Sequence, residues 1–173
     1  MAINWAYFPR SATPDATTVQ VVAAFEKHSD AIDSDNRTLK SNEVLAEIAG
    51  SLESLGFLVE SGKKKADKVH VPVLYGNNGK VTKSFEADAY HAEKGYIIEV
   101  EAGRGVVNNQ FLKDLFQACM MEGVEYLCIA VRNQYMAAGM RNQDFKRVVT
   151  FFDTLYASNR LSLPMRGILI AGY

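Results

Sequence analysis

The sequence predicts an α/β protein with a mixed central sheet flanked by helices. Amphipathic helix patterns over residues 41–56 and 106–121 enclose a β-rich segment that contains strong turn signals. Residues 126–131 form a continuous apolar run, which is typical of a buried strand. A strand over 96–102, the second helix and this apolar strand follow one another with short links. This order predicts a parallel crossover connection.

The predicted elements begin with a helix that ends near Lys27, after an irregular stretch over residues 1–16. The later elements are a helix over 41–56, strands that begin at 57 and that span 68–75, 81–91 and 96–102, a helix over 106–121, a strand over 126–131, a helix over 142–156 and a strand over 167–171. Turn signals at 76–79 and 93–95 predict that the middle strands form an antiparallel meander.

This order predicts a single domain over residues 1–173. Residues 1–40 would form an N-terminal extension, residues 41–131 a core of the order αβββαβ, and residues 132–173 a C-terminal helix and strand. A chain of this length can bury a full hydrophobic core.

Composition is that of an ordinary globular protein, with 48% apolar and 23% charged residues and a net charge of −1. The chain has no apolar run of about 20 residues, and its first residues lack a signal-peptide pattern, so we expect a cytoplasmic protein with no membrane partner. Cys119 and Cys128 lack CxxC spacing and lie in apolar segments, which predicts reduced, buried thiols.

Three carboxylates stand out in the β-rich segment. Side chains alternate along a strand, so Glu99 and Glu101 point to one face, roughly 6–7 Å apart, while Ile98 and Val100 point to the other. Hairpin pairing could bring Asp88 of the preceding strand alongside. Buried like charges are costly unless a cation neutralises them. An all-oxygen donor set favours a hard ion, Mg²⁺ or Mn²⁺.

The spacing of Asp88, ten residues, then Glu99-Val-Glu101 resembles the signature of the PD-(D/E)XK nuclease superfamily, which includes restriction endonucleases. The resemblance covers roughly residues 41–131. Two positions depart from the pattern: Ala87 precedes the aspartate where the family often has proline, and Glu101 stands where the family usually has lysine. The resulting ExE half-motif is similar to that of a branch of type II restriction enzymes.

The resemblance implies a restriction endonuclease-like fold and a metal-dependent DNA endonuclease that hydrolyses phosphodiester bonds. It implies that Asp88 and Glu99 hold Mg²⁺ or Mn²⁺, and that Glu101 orients or deprotonates the attacking water. A glutamate of the first core helix often joins the metal ligands in this family, which points to Glu43, with Glu47 second. The alternative is that both helix glutamates are simply solvated. Restriction-type enzymes are often dimers, so the resemblance also implies a homodimer.

Positive charge is concentrated just before the carboxylates. Residues 61–83 hold six lysines and one aspartate, a local charge of +5. A basic segment beside a metal site is suited to hold a phosphate chain, although a solvated lysine-rich surface hairpin has the same composition. The candidate DNA-binding residues are Lys63, Lys64, Lys65, Lys83, Arg104 and Asn108. Lys83 or Lys94 could also replace the missing lysine of the motif, and Asn108 could instead cap a helix.

Other sites are less well supported by the sequence. Gly103 and Gly105 precede a helix, but a third glycine is absent and the nearby glutamates would repel a pyrophosphate, so we expect no nucleotide cofactor. His91 lies three residues after Asp88, which places the two on opposite faces of a strand. The principal alternative to a nuclease is a non-catalytic nucleic-acid-binding or regulatory module of the same fold, which the absent lysine and the near-neutral charge favour. The third hypothesis is a structural or partner-binding domain whose carboxylates are simply solvated.

Overall fold

A computed structural model describes residues 3–103, 105–137 and 140–173 of the chain. The helices are α1 (Ala16–Lys27), α2 (Ser29–Ile32), α3 (Ser41–Ser54), α4 (Gln110–Met120) and α5 (Asp144–Ser158). The strands are β1 (Asn4–Phe8), β2 (Leu58–Val59), β3 (Val69–Tyr75), β4 (Val81–Ala87), β5 (Ala89–His91), β6 (Tyr96–Glu101), β7 (Tyr126–Val131), β8 (Tyr135–Ala137), β9 (Met140–Asn142) and β10 (Gly167–Gly172).

Six of the strands form one mixed sheet in the order β1-β10-β7-β6-β5-β2. Strands β6, β7 and β10 are parallel, and the other neighbours are antiparallel. The remaining strands pair as two separate ribbons, β3 with β4 and β8 with β9. The predicted mixed α/β fold, with a mixed central sheet flanked by helices, is confirmed.

Helices cover both faces of the sheet. The crossovers from β6 through α4 to β7 and from β7 through α5 to β10 step the same way across the sheet, so α4 and α5 lie on one face. There they pack on side chains such as Ile97 and Ile129. Helices α1 and α3 pack on the opposite face, against Ile98 and Val100. Alternate residues of β6 therefore belong to different cores.

Local interactions fix where the first helices begin. The Asp15 carboxylate accepts hydrogen bonds from the amides of Thr17 and Thr18, at 2.8 and 3.2 Å, and so caps α1. The Glu43 carboxylate accepts one from the Lys40 amide, at 2.6 Å, at the start of α3. None of the helices within the described ranges is long and apolar enough to cross a bilayer.

The structure corrects the sequence prediction at several elements. Residues 1–16 are not wholly irregular, because β1 pairs antiparallel with β10 and Phe8 is fully buried. The strand predicted over 81–91 is two strands, broken at Asp88. Helix α4 begins at Gln110 rather than at 106, since residues 105–109 form turns and Asn109 adopts a left-handed conformation. The loop predicted before α5 contains β8 and β9. Both cysteines are free, as expected, but only Cys128 is fully buried.

The turn before β6 depends on Gly95, whose φ is +57°. Its carbonyl oxygen accepts hydrogen bonds from the amides of Glu125 and Tyr126, at 2.8 and 3.0 Å, which connects this turn to the start of β7. A Cβ added at Gly95 would overlap the carbonyl oxygen of Gly123. The position therefore needs glycine for both its conformation and its space.

We predict that Gly95→Ala lowers the free energy of unfolding by about 3 kcal/mol, because a left-handed alanine costs roughly 1–2 kcal/mol and the overlap adds to it. Gly79→Ala is the matched control. Gly79 also has a positive φ, +70°, but its added Cβ would meet nothing within 4 Å. Urea denaturation should give the control only the conformational part of the loss, and equal losses in the two variants would refute the importance of the close contact.

Candidate functional site

Asp88 lies where β4 ends and β5 begins, at the edge of the main sheet. The register of β5 and β6 pairs Ala89 with Ile98, which places Asp88 across from Glu99, as the hairpin prediction required. The Asp88 carboxylate accepts a hydrogen bond from the Val100 amide at 2.7 Å, and its carbonyl oxygen accepts one from the Glu60 amide at 2.8 Å. The side chain and the main chain of Asp88 are therefore both held by hydrogen bonds.

Glu99 and Glu101 point to the α4 face of the sheet, because Ile98 and Val100, with which they alternate, pack under α1 and α3. Glu99 is only 9% exposed, and Glu101 is half-buried at the end of the strand. His91 and Asp88 lie on opposite faces of the sheet, as predicted. The His91 ring packs edge-on against Phe57, on the face covered by α1 and α3.

A fourth carboxylate, Asp114 of α4, completes this group and was missed from the sequence. It is 3% exposed and adjoins Glu101 closely enough for the two carboxyls to share a proton. Asp114 lies on the buried stripe of α4, between Phe111 and Leu115. The sequence does contain a signal for Asp114, because an acidic residue within the apolar stripe of a helix is unusual and indicates a buried carboxylate. We call Asp88, Glu99, Glu101 and Asp114 the carboxylate cluster.

Burial makes ionisation of the carboxylate cluster costly. It raises the pKa of Asp88 to about 6, against which the Val100 amide acts by stabilising the charged form. Burial also raises the pKa of Glu99 well above its usual range, and the neighbouring charges of Asp88 and Asp114 add to this. The pKa of Glu101 is raised by burial and then by its hydrogen bond with Asp114. The metal-free cluster therefore holds protons at pH values where isolated carboxyls would have lost them.

Two lysines lie beside the carboxylate cluster. Lys113 Nζ is 3.6 Å from Asp114 Oδ1, and its charge acts to lower the pKa values of Glu99 and Glu101. Lys68 Nζ is 2.7 Å from Glu60 Oε1 and acts to lower the pKa of Asp88. Glu60, which the sequence analysis did not select, is thus the acidic residue that links Asp88 to Lys68.

The lysines expected near the motif lie elsewhere. Lys83 is exposed, with its Nζ 5.4 Å from the centre of the Phe85 ring, and Lys94 lies in the turn at the opposite end of β6 from Glu101. Positive charge reaches the cluster from Lys68 and Lys113 instead.

Glu43 is not brought into the carboxylate cluster. It is exposed on α3, which covers the opposite face of β6, and its carboxylate caps that helix. It lines a cavity of about 410 Å³ together with Glu60 and Lys63. Glu47 is exposed as well.

The candidate DNA-binding residues Lys63, Lys64, Lys65, Lys83 and Asn108 are all exposed. Arg104 lies outside the described residues. The exposed lysines precede or lie on the β3–β4 ribbon, and Asn108 lies in the turn before α4.

The loop after β6 passes close to Glu101. A Cβ at Gly105 would overlap the Glu101 carboxylate, so a larger residue there would displace this side chain. The Glu101 carbonyl oxygen accepts a hydrogen bond from the Tyr173 hydroxyl at 2.9 Å. Gly105 therefore lies beside the Glu101 carboxylate, and Tyr173 holds the Glu101 main chain.

The donor chemistry of the carboxylate cluster fits a hard divalent cation. All four side chains offer oxygen, and the buried Asp114 Oδ2 atom receives no N–H or hydroxyl donor. Within the described part of the chain, no three acidic, histidine or cysteine side chains already surround one point at ligand distances. Mg²⁺ is usually bound through one or two carboxylates together with water and substrate phosphate, so a smaller protein donor set suits that ion.

We predict that Asp88→Asn stabilises the metal-free protein at neutral pH. Folding raises the pKa of Asp88 from 3.8 to about 6, so the folded state binds this proton more tightly than the unfolded state does. The resulting stability is present below pH 3.8 and is lost as the pH rises through about 6. The free energy of unfolding of the variant should therefore rise relative to that of the wild type across this window, by about 3 kcal/mol at pH 7.

The measurement is urea denaturation in EDTA at several pH values. Asp153→Asn serves as the control, because the ion pair of Asp153 with Arg10, at 2.9 Å, lowers the pKa of Asp153, so that its contribution has the opposite sign. A difference between Asp88→Asn and wild type that does not change with pH would contradict the electrostatic explanation.

No protein-family model matches the chain, and no curated protein sequence matches it significantly. Among solved structures, the crystal structure of restriction endonuclease BglII complexed with a DNA 16-mer aligns with 99% of this chain and 76% of that chain, at a TM-score of 0.48 and 14% identity. So distant a likeness identifies neither a family nor an activity.

Proposed function

We propose that the protein is a metal-dependent DNA endonuclease that hydrolyses phosphodiester bonds at the carboxylate cluster. The observation that carries this proposal is the grouping of four buried or half-buried carboxylates at one edge of the sheet. Burial raises the pKa of each, and neighbouring carboxylates raise the pKa values of Asp88, Glu99 and Glu101 further. Such a group is unfavourable for stability alone, and strongly perturbed carboxyls are characteristic of functional sites.

Asp88 and Glu99 are the proposed ligands of Mg²⁺ or Mn²⁺. They lie opposite each other in the register of β5 and β6. The hydrogen bond from the Val100 amide holds the Asp88 Oδ2 atom in place. When bound there, a divalent ion neutralises the carboxylates, polarises the scissile phosphate and lowers the pKa of a water molecule. We propose Asp114, rather than Glu43, as the third acidic residue of the site, because Asp114 is buried beside Glu101 whereas Glu43 caps its own helix.

Glu101 is the proposed proton acceptor. Burial and the neighbouring Asp114 raise the pKa of Glu101, which brings its proton exchange nearer to neutral pH. Its side chain lies against Gly105 and its carbonyl oxygen accepts a hydrogen bond from the Tyr173 hydroxyl. We propose that its carboxylate orients the attacking water. Lys113 supplies positive charge beside the cluster, the electrostatic role that the resemblance assigns to the lysine missing at position 101.

Exposed basic residues are the proposed contacts to DNA phosphates. Lys63, Lys64 and Lys65 precede the β3–β4 ribbon, and Lys83 lies on it. Exposed lysines contact phosphates without reading sequence, so these residues would contribute affinity rather than specificity.

A second candidate function is a non-catalytic nucleic-acid-binding or regulatory module. The presence of Glu101 at the lysine position favours it, as does the lack of a preformed three-ligand group among the described residues. This candidate predicts DNA binding with neither cleavage nor affinity for divalent ions.

We predict that the purified protein cleaves DNA of varied sequence in the presence of Mg²⁺ or Mn²⁺ and not in EDTA. Asp88→Asn and Glu101→Gln should each lower the cleavage rate by about 100-fold or more, because each removes a group that acts on the reacting phosphate or water. The assay is conversion of supercoiled plasmid and genomic DNA to nicked and linear products.

Glu43→Gln is the matched control, because glutamine keeps an oxygen that can cap α3. It should retain activity, whereas Asp114→Asn should lose it. Loss of activity in Glu43→Gln with activity kept in Asp114→Asn would return Glu43 to the site. No cleavage by the wild type with either ion would refute the nuclease and favour the binding module.

A further inference from the structure

The β3–β4 ribbon, residues 69–87, projects from the body of the protein. Its strands have seven residues each, and they pair with each other rather than with the six-stranded sheet. The base of the ribbon is anchored, since Val71 is buried and Phe85 packs against the same core. The far end, residues 74–83, is exposed throughout.

The tip of the ribbon carries apolar side chains that the protein leaves in water. Leu74 is 60% exposed, Tyr75 55% and Val81 43%. Neighbouring exposed apolar groups on a free ribbon are a liability for aggregation, which proteins retain where a partner covers them.

Charge identifies the chemistry of that partner. Residues 69–85 contain no aspartate or glutamate, and both Lys80 and Lys83 are exposed at the tip. Residues 61–83, which lead into the ribbon and include its tip, carry +5, so the rest of a chain of net charge −1 carries −6. Two copies of this basic segment would repel each other, which disfavours a second copy as the partner, whereas a polyanion is attracted.

The position of the ribbon links this partner to the carboxylate cluster. Strand β4 ends at Ala87, and the next residue is Asp88. At the other strand, Lys68 directly precedes β3 and pairs with Glu60, whose amide binds the Asp88 carbonyl oxygen. A molecule held along the ribbon therefore lies next to the cluster.

We infer that the β3–β4 ribbon enters a groove of duplex DNA and holds the duplex against the carboxylate cluster, an inference that rests on the proposed function. Seven residues of strand span about 20 Å. The major groove is about 12 Å wide and admits a two-stranded ribbon. Lys80 and Lys83 contact phosphates on its walls. The side-chain amides of Asn77 and Asn78, in the turn that joins the strands, reach the base edges.

The test measures binding to duplex DNA by fluorescence anisotropy in EDTA, as a function of salt concentration. The double variant Lys80→Ala/Lys83→Ala is compared with Lys27→Ala/Lys94→Ala. Both variants remove two exposed lysines, but Lys27 ends α1 and Lys94 lies at the far end of β6. The ribbon variant should bind roughly 10-fold more weakly near 0.1 M salt, with a salt slope smaller by about 2, while the control matches wild type. Circular dichroism should show that both fold.

Several results would overturn the inference. Equal weakening in the two double variants would mean that positive charge anywhere suffices. Wild-type binding in the ribbon variant, combined with Mg²⁺-dependent cleavage by the wild type, would reject the ribbon and leave the nuclease standing. No duplex binding by the wild type would also reject it. If Leu74→Ser/Tyr75→Ser converts a dimer to a monomer in sedimentation and leaves DNA affinity unchanged, the tip is a contact between copies of the chain.

Discussion

The carboxyls of Asp88, Glu99, Glu101 and Asp114 share one poorly solvated edge of the sheet, and the ionisation of each raises the energy of ionising the others. This repulsion is the constraint on which the arrangement of the neighbouring elements depends. The Val100 amide, Lys68 and Lys113 offset part of it, yet the pKa values remain raised. The cluster is therefore destabilising for the metal-free protein, and its oxygen donors suit the cation that we propose it binds.

The rest of the structure keeps these groups in place against that repulsion. Strands β6, β7 and β10 run parallel, with β7 in the middle, which puts Glu101 at the carboxyl edge of the sheet, where open α/β sheets commonly bind ligands. Helix α4 brings Asp114 to the same edge, and its apolar neighbours Phe111 and Leu115 anchor it in the core. The break between β4 and β5 turns Asp88 toward Glu99 and directs the β3–β4 ribbon away from the body.

Local patterns in the sequence were sufficient to predict the carboxylates of the two hairpin strands. Alternation along β6 and the turn at Gly95 set the relation of Glu99, Glu101 and Asp88, because both signals act over about a dozen residues. Asp114 could not be placed in this way, since a helix and a crossover connection bring it to Glu101. The pairing of β1 with β10 joins residues from opposite ends of the chain, which no local pattern reports. Likewise, residues 81–91 have a continuous β pattern, and β4 and β5 are separate because they pair with different, more distant strands.

The most direct test of the carboxylate cluster as a metal site is the number of protons released when Mn²⁺ binds. Metal ligands must be deprotonated, and burial keeps protons on the metal-free cluster near neutral pH. Calorimetric titration at pH 7 in two buffers of different ionisation enthalpy should give a binding heat that depends on the buffer. The expected release is about one proton per ion, and Asp88→Asn should show little binding. Binding of Mn²⁺ with no proton release, or equal binding by Asp88→Asn, would place the ion elsewhere and contradict the cluster as its site.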